Sequence, residues 1–264
     1  MATTASDCPF GTLQAPAAWQ AVDLISDLHL QASAPATFEA WRAHMAATPA
    51  DAVFLLGDVF EVWVGDDAVA SDPFLQACAQ VLRQASARMT VGFMVGNRDF
   101  LVGPDFVQDC GLTPLPDPTL LVWGAQRVLL SHGDALCLED QAYQRFRAVS
   151  RTPAWQSEFL ARPLDERLAL AQAMRAQSEA HNQSVAYFAD ADADLTRDWL
   201  QACGARHLVH GHTHRPADHT VSGLPGATRQ VLSDWHIDAQ TQRTQVMRLH
   251  ADGRCERLSP VAHV

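Results

Sequence analysis

The chain has 264 residues, 48% of them hydrophobic, which suits one sizeable α/β domain or one domain with a substantial insertion. Its formal net charge is −11 and all 19 basic residues are arginine, which excludes a general polyanion binder, so no nucleic-acid partner is expected and a phosphate substrate needs a local cationic centre. No apolar stretch approaches the roughly 18 residues of a membrane span, and the first residues lack a basic region followed by an apolar one, so a soluble cytoplasmic chain is expected.

Residues 1 to about 18 show little periodicity and read as a flexible leader, with one domain over 19–264. An apolar run from Val22 predicts a strand that ends in Asp27 and His29. Helical spacing follows over Thr37 to Met45. A second strand from Val53 to Leu56 reaches Gly57-Asp58, and the loop after it is aromatic and acidic. In that loop Glu61, Asp66 and Asp67 read either as a solvated surface or as a wall beside a site. Pro73 to Arg88 predicts a helix with Asp72 as its N-cap. A third strand from Val91 runs out at Gly96-Asn97.

After the prolines at 114, 116 and 118, Thr119 to Trp123 and Gln126 to Leu130 flank Gly124-Ala125 and read as a hairpin ending at His132. From about 138 to 203 the strand signal stops; three or four helices rich in Ala, Gln, Glu, Arg and Leu are expected as an inserted cap, the natural lid over a site. Arg206 to His210 then reads as a strand that runs into Gly211 and presents His212 and His214 at i and i+2, a spacing that aims both rings to one side. Gln230 to Trp235, Thr244 to His250 and Cys255 to Leu258 predict further, antiparallel strands. The expected fold is α/β of the layered α+β kind, a two-layered sheet core with helices outside. Six cysteines lie far apart without a Cys-x-x-Cys pair, which predicts free buried thiols and neither a zinc knuckle nor a disulfide framework.

Five strand ends thus carry ligand-type side chains, and ligands sit outside the carboxyl ends of strands in open α/β sheets. Asp27, His29, Asp58, Asn97, His132, His212 and His214 offer oxygen and imidazole donors without a thiolate, which suits Mn²⁺, Fe²⁺, Zn²⁺ or Mg²⁺. Seven donors exceed what one open-sited ion takes, so two ions are expected, with Asp58 bridging. Asp27, His29 and His214 would complete one ion; Asn97, His132 and His212 would complete the other. Arg98 adds a permanent cation with a forked guanidinium beside them; its alternative is a salt bridge to Asp99 or Asp134. Asp99 and Asp134 follow ligands and are expected to orient them.

The ordered motifs Asp-x-His, Gly-Asp, Gly-Asn-x-Asp, His-Gly-Asp and Gly-His-Thr-His, over residues 20 to 240, resemble the calcineurin-like metallophosphoesterase superfamily. Within it, Gly96-Asn97-Arg98-Asp99-Phe100 (where Gly-Asn-His-Asp is usual), Gly57-Asp58-Val59-Phe60-Glu61-Val62-Trp63 and His132-Gly133-Asp134-Ala135-Leu136-Cys137 are similar to the UDP-2,3-diacylglucosamine diphosphatase family. The resemblance implies a β-sandwich core flanked by helices and a site holding two Mn²⁺. It implies attack of water on the α-phosphorus of a UDP-linked diacylated glucosamine lipid, releasing UMP and 2,3-diacylglucosamine 1-phosphate in lipid A biosynthesis, with peripheral contact at the inner face of the bacterial inner membrane. It also implies Arg98 and His212 as catalytic groups, and Asn97, Arg98, Asp140, Ser178, Asn182 and His212 as substrate contacts. Val185 stands where the family often has lysine.

The insertion carries Arg145, Arg147, Arg151, Arg162, Arg167 and Arg175 beside Trp155, Phe159, Leu160, Leu164, Leu168, Leu170 and Met174. Such a set could line a groove for acyl chains with an anionic head at its mouth, or form a self-packed cap. Two rivals stay open: a phosphoesterase for another nucleotide diphosphate or phosphodiester, and a catalytically silent binding protein of the same fold.

Overall fold

The computed structural model describes residues 8–184 and 189–261, with side chains described outside 176–188. The chain opens with β1 (Gly11–Gln14), β2 (Ala21–Ile25), α1 (Pro35–Ala47), β3 (Ala52–Leu56), α2 (Pro73–Ser86) and β4 (Thr90–Met94). It continues through α3 (Pro104–Asp109), β5 (Thr113–Pro114) and the hairpin β6 (Thr119–Trp123) and β7 (Gln126–Ser131). The cap holds α4 (Gln141–Ser150), α5 (Pro153–Leu160) and α6 (Leu164–Ser184). Then come α7 (Ala193–Ala202), β8 (His207–His210), β9 (Ala217–Thr220), β10 (Thr228–Val231), β11 (His236–Ile237), β12 (Gln242–Arg243), β13 (Val246–His250) and β14 (Cys255–Leu258).

Two six-stranded sheets face each other, in the orders β14-β13-β2-β3-β4-β5 and β1-β6-β7-β8-β10-β9. β3 is buried along its whole length, as a central parallel strand with both faces covered must be. Alternation sorts its neighbours: Val22, Leu24, Phe54, Leu56 and Met94 point between the sheets with Leu121, Leu130 and Val209. Ile25, Val53, Leu55 and Val91 point outward onto Trp41 and Met45 of α1 and Cys78, Ala79 and Leu82 of α2. Outside the second sheet, Leu120, Leu129 and Leu208 pack on Leu200 and Cys203 at α7. Asp72 caps α2 as expected, accepting from the N–H groups of Phe74 and Leu75.

Register then delivers the strand ends to one place. β2 and β3 run parallel with Ile25 opposite Leu55, so Asp27 and Asp58 leave the sheet side by side. β7 and β8 run parallel with Ser131 opposite His210, so His132 and His212 leave the other sheet together.

Four expectations are corrected. The stretch read as a leader contributes β1, paired in parallel with β6. Cys8 and Cys203 form a disulfide across a sequence separation of 195 residues, so not all thiols are free; Cys78, Cys110, Cys137 and Cys255 are. β10 is antiparallel to β9, as expected, but parallel to β8, because the chain loops back through β9 before entering it, while β13 is antiparallel to β2 and β14 as expected. α7 belongs to the outer layer of the second sheet rather than to the cap, since its apolar face is covered there.

Two polar clusters matter for stability. Asp23, fully buried in β2, accepts from Arg248 Nε (2.7 Å) and Nη2 (2.9 Å) and Thr48 Oγ1 (2.6 Å), with His44 Nε2 at 3.2 Å. Burial opposes its ionisation, but these partners lower it to about 2. On the cap, Arg167 is only 3% exposed and donates to Asp67 and to the carbonyls of Val64 and Arg162, which ties α6 to the core.

Candidate metal centre

Among the described residues other than glycine, positive φ occurs at Asp27 (52°), His29 (46°), Asp58 (52°), His212 (66°) and His214 (53°), all five of them expected ligands. Such left-handed backbone costs an L-residue of order 1 kcal/mol each and persists only where the surroundings impose it. Here it turns each chain back immediately after its strand. The turns are tied to one another: Asp27 N–H donates to Gly57 O (3.1 Å), His29 N–H to Asp58 O (3.0 Å) and Trp235 N–H to Asp27 O (2.9 Å). Close approach also dictates glycine at two positions. A Cβ at 96 would lie 2.4 Å from the Asp58 nitrogen, and one at 211 would lie 2.2 Å from Asp27 Oδ2.

All seven expected ligands converge. His29 Nε2 and His214 Nε2 stand 3.2 Å apart, with Asp27 Oδ1 at 3.9 and 3.3 Å from them. Asp27 Oδ2 accepts from Ser26 Oγ (2.6 Å) and His212 N–H (2.9 Å), while Oδ1 is buried without a hydrogen-bond partner. Beside it His132 Nε2 is 2.9 Å from Asn97 Oδ1 and 3.6 Å from Asp58 Oδ1, and the His212 ring lies 5.1 Å from that of His132. His132 Nδ1 donates to Leu56 O (3.0 Å), which leaves Nε2 as the ring nitrogen that faces the two oxygens.

A buried carboxylate oxygen with no donor, beside imidazole nitrogens and oxygens gathered at 2.9 to 3.9 Å, is what a cation site looks like from its ligands. The charges agree. Burial alone would lower His132, yet the Asp58, Asp27, Asp134 and Asp117 carboxylates push it up to about 9. Burial would raise Asp27, but His214, His132 and His29 hold it well below the ordinary carboxylate range. The donor set fits divalent ions taking oxygen and imidazole.

The orienting groups are partly those expected. Asp99 accepts from the N–H groups of Gly96 (2.7 Å), Val59 (2.7 Å) and Phe60 (3.3 Å), so it joins the Asp58 and Asn97 loops through their backbones. Asp134 takes Tyr143 Oη and Arg147 Nε (2.9 Å), with Arg151 Nη2 at 3.5 Å; what it holds is α4. Glu61, left open by the sequence, is 7% exposed and lies 2.8 Å from His29 Nδ1. Asp234, held by Arg243, lies 3.9 Å from His214 Nδ1; Asp117 accepts from the His132 N–H. Neither was singled out, although Asp234 too ends an apolar run. Arg98 pairs with Glu61 (3.4 Å) rather than Asp99 or Asp134, and its N–H donates to Asp58 Oδ1 (2.8 Å).

A cavity of about 520 Å³ adjoins the ligands. Its polar lining includes Asn97, Arg98, Glu61, Asp140, Tyr143 and Arg175, and its apolar lining Phe100, Phe146, Trp155, Phe159 and Met174. Asp140 also caps α4, accepting from Tyr143 N–H at 2.9 Å. Of the apolar residues expected there, Leu160, Leu168 and Leu170 instead face solvent at 39, 40 and 37% exposure, and Leu164 packs on the core. Ser178 and Asn182 fall in the part of α6 whose side chains lie outside the described residues, and Val185 lies outside the described residues. Among the described residues no helix is long and apolar enough to cross a membrane.

The model of the calcineurin-like phosphoesterase family matches residues 21–216. The chain is 45% identical over 225 residues to a UDP-2,3-diacylglucosamine hydrolase of Chromobacterium violaceum, covering 82% of this chain and 91% of that one. Hydrolases of the same name from Bordetella parapertussis and Xanthomonas oryzae are 44% and 42% identical, covering 81% and 87% of this chain and 85% and 95% of theirs.

Proposed function

The chain belongs to the calcineurin-like phosphoesterases and, within them, to the UDP-2,3-diacylglucosamine hydrolases, and from that premise we propose that it cleaves the pyrophosphate bond of UDP-2,3-diacylglucosamine. Water attacks the α-phosphorus, and the products are UMP and 2,3-diacylglucosamine 1-phosphate, a step of lipid A biosynthesis. The observation that carries this reading is the junction of the seven-donor cluster with a cavity lined by both arginine and aromatic side chains.

Two divalent ions, proposed as Mn²⁺, would be held by Asp27, His29 and His214 on one side and Asn97, His132 and His212 on the other, with Asp58 between. Bound there, such a pair makes water nucleophilic at neutral pH and neutralises charge on the phosphoryl oxygens. The chain's own residues do the rest. The Arg98 fork meets the diphosphate as charge grows on it, in a half-buried setting where that pairing is stronger than in water. His212, kept neutral by burial and by the neighbouring His132, borders the same oxygens without adding a proton to the donor set. Asp140 and Tyr143 border the head group, and Trp155, Phe159 and Met174 offer the acyl chains an apolar wall.

Hydrolysis in ¹⁸O-labelled water, with and without Mn²⁺, tests the reading. Metal-dependent turnover with label in UMP is expected; cleavage of simple phosphodiesters with this lipid untouched overturns the substrate.

We further propose peripheral contact with the cytoplasmic face of the inner membrane through the cap, where Leu160, Leu168, Leu170 and Met174 are 37 to 40% exposed. Wild-type protein should sediment with anionic liposomes, and Leu160→Glu with Leu168→Glu should leave it in the supernatant. Equal sedimentation of both removes the cap from the contact.

A further inference from the structure

Glu61 stands between the donor cluster and the cavity, and its two oxygens face different partners. Oε2 lies 2.8 Å from His29 Nδ1, and Nε2 of the same ring faces Asp27 and His214. Oε1 lies 2.8 Å from Arg175 Nη2 on α6 and 3.4 Å from Arg98 Nη1 on the loop after β4. Two guanidiniums thus converge on one oxygen, although like charges so close repel unless an anion sits between them. All three partners come from separate segments: the turn after β2, the turn after β4 and the cap.

Resting on the reading of this chain as a metal-dependent diphosphate hydrolase, we propose that Glu61 is a positioning residue for both halves of the site. One oxygen fixes the orientation of a metal-donating imidazole, and the other holds Arg98 and Arg175 together where a diphosphate arrives. The two duties are separable in their consequences. An imidazole ligand that loses its carboxylate partner holds metal about 10- to 100-fold less tightly. Two arginines that lose their shared anion are no longer drawn to one point, and the cost of bringing them together falls on substrate binding. A carboxylate that merely neutralised the arginines would act in the opposite sense: its removal would strengthen binding of an anionic substrate.

Glu61→Gln and Arg175→Gln are compared with wild type. Mn²⁺ affinity is read by chelator competition without substrate, and KM and kcat are read at saturating Mn²⁺. Glu61→Gln should weaken Mn²⁺ binding about tenfold and raise KM about threefold or more once metal is saturating. Arg175→Gln should raise KM without weakening Mn²⁺ binding. Unchanged Mn²⁺ affinity in Glu61→Gln, or a KM that is unchanged or lower, overturns the proposal. If Glu61→Gln does not fold, Glu61→Asp, which keeps the charge and shortens the reach, is held to the same two readouts. Absence of turnover by wild type would count against the proposed function alone; the metal readout would still judge Glu61, with affinity of the Mn²⁺-loaded protein for UMP in place of KM.

Discussion

At the scale of single residues, the donors sit in backbone that their own side chains do not favour, and their neighbours keep them there. Asp27 illustrates the arrangement: φ is 52°, one oxygen is saturated by Ser26 and His212, and the other is buried and bare. Asp27→Asn keeps the shape but offers the bare position a neutral amide. Turnover should fall more than about 100-fold, beyond what losing an orienting partner costs, with bound metal counted by atomic emission after gel filtration. Gly96→Ala puts a methyl 2.2 Å from Asp58 Oδ1 and 2.4 Å from its nitrogen. Overpacking of that kind costs about 1–3 kcal/mol, visible in chemical denaturation, and displaces Asp58, so activity should fall with stability. Metal also competes with protons. Because His132 is raised to about 9 by its carboxylate neighbours, the metal proposed there as Mn²⁺ would have to displace a proton at neutral pH. Apparent affinity should therefore strengthen from pH 6.5 to 8.5, by up to about tenfold per unit; calorimetry showing no proton release would contradict this.

At the scale of elements, helix periodicity does the assembling. Tyr143, Arg147 and Arg151 follow one another at i, i+4 and i+8, so α4 presents all three to the buried Asp134. Arg151 reaches further, to the carbonyl of Gly96 (2.8 Å) and over the Phe100 ring, so the cap's first helix is pinned to the turn bearing Asn97. Removing one partner from such a buried cluster costs about 3–5 kcal/mol. Asp134→Ala should lose about that much stability and expose α4 to limited proteolysis. β2 carries a second such cluster. The lowering of Asp23 from 3.8 to about 2 contributes about 2 kcal/mol that is present above pH 4 and lost as pH falls toward 2. Acid denaturation of Asp23→Asn should lack that segment of the curve, measured by circular dichroism between pH 5 and 2.

At the scale of the whole molecule, the disulfide joins the segment before β1 to the end of α7, closing 195 of the 264 residues into a loop. In the chain-entropy account, long loops gain most, and removal of such a link costs about 2–5 kcal/mol. Cys8→Ser should lower the Tm by several degrees under oxidising conditions and match wild type once both are reduced. The two sheets deliver the candidate ligands from opposite sides of one interface: Asp27, His29, Asp58 and Asn97 from the first, His132, His212 and His214 from the second. Sliding one sheet by a single residue would separate them.

What the sequence determined by itself is local: each donor lies within a few residues of an apolar run, so strand, turn and ligand are read from one short stretch. Asp-x-His at 27 and 29, Gly-Asp at 58 and His-x-His at 212 and 214 were legible as candidate donors for that reason, and the structure brings them together. Tertiary structure decided what depends on residues distant in the chain. It set the partner of His29 as Glu61, turned Asp134 toward α4 rather than a ligand, and joined Cys8 to Cys203. It sent Arg167 inward and Leu160, Leu168 and Leu170 outward. It placed α7 beneath the second sheet and made β10 parallel to β8. Periodicity says which side chains share a face, but which neighbour covers that face follows only from register and packing across the two sheets.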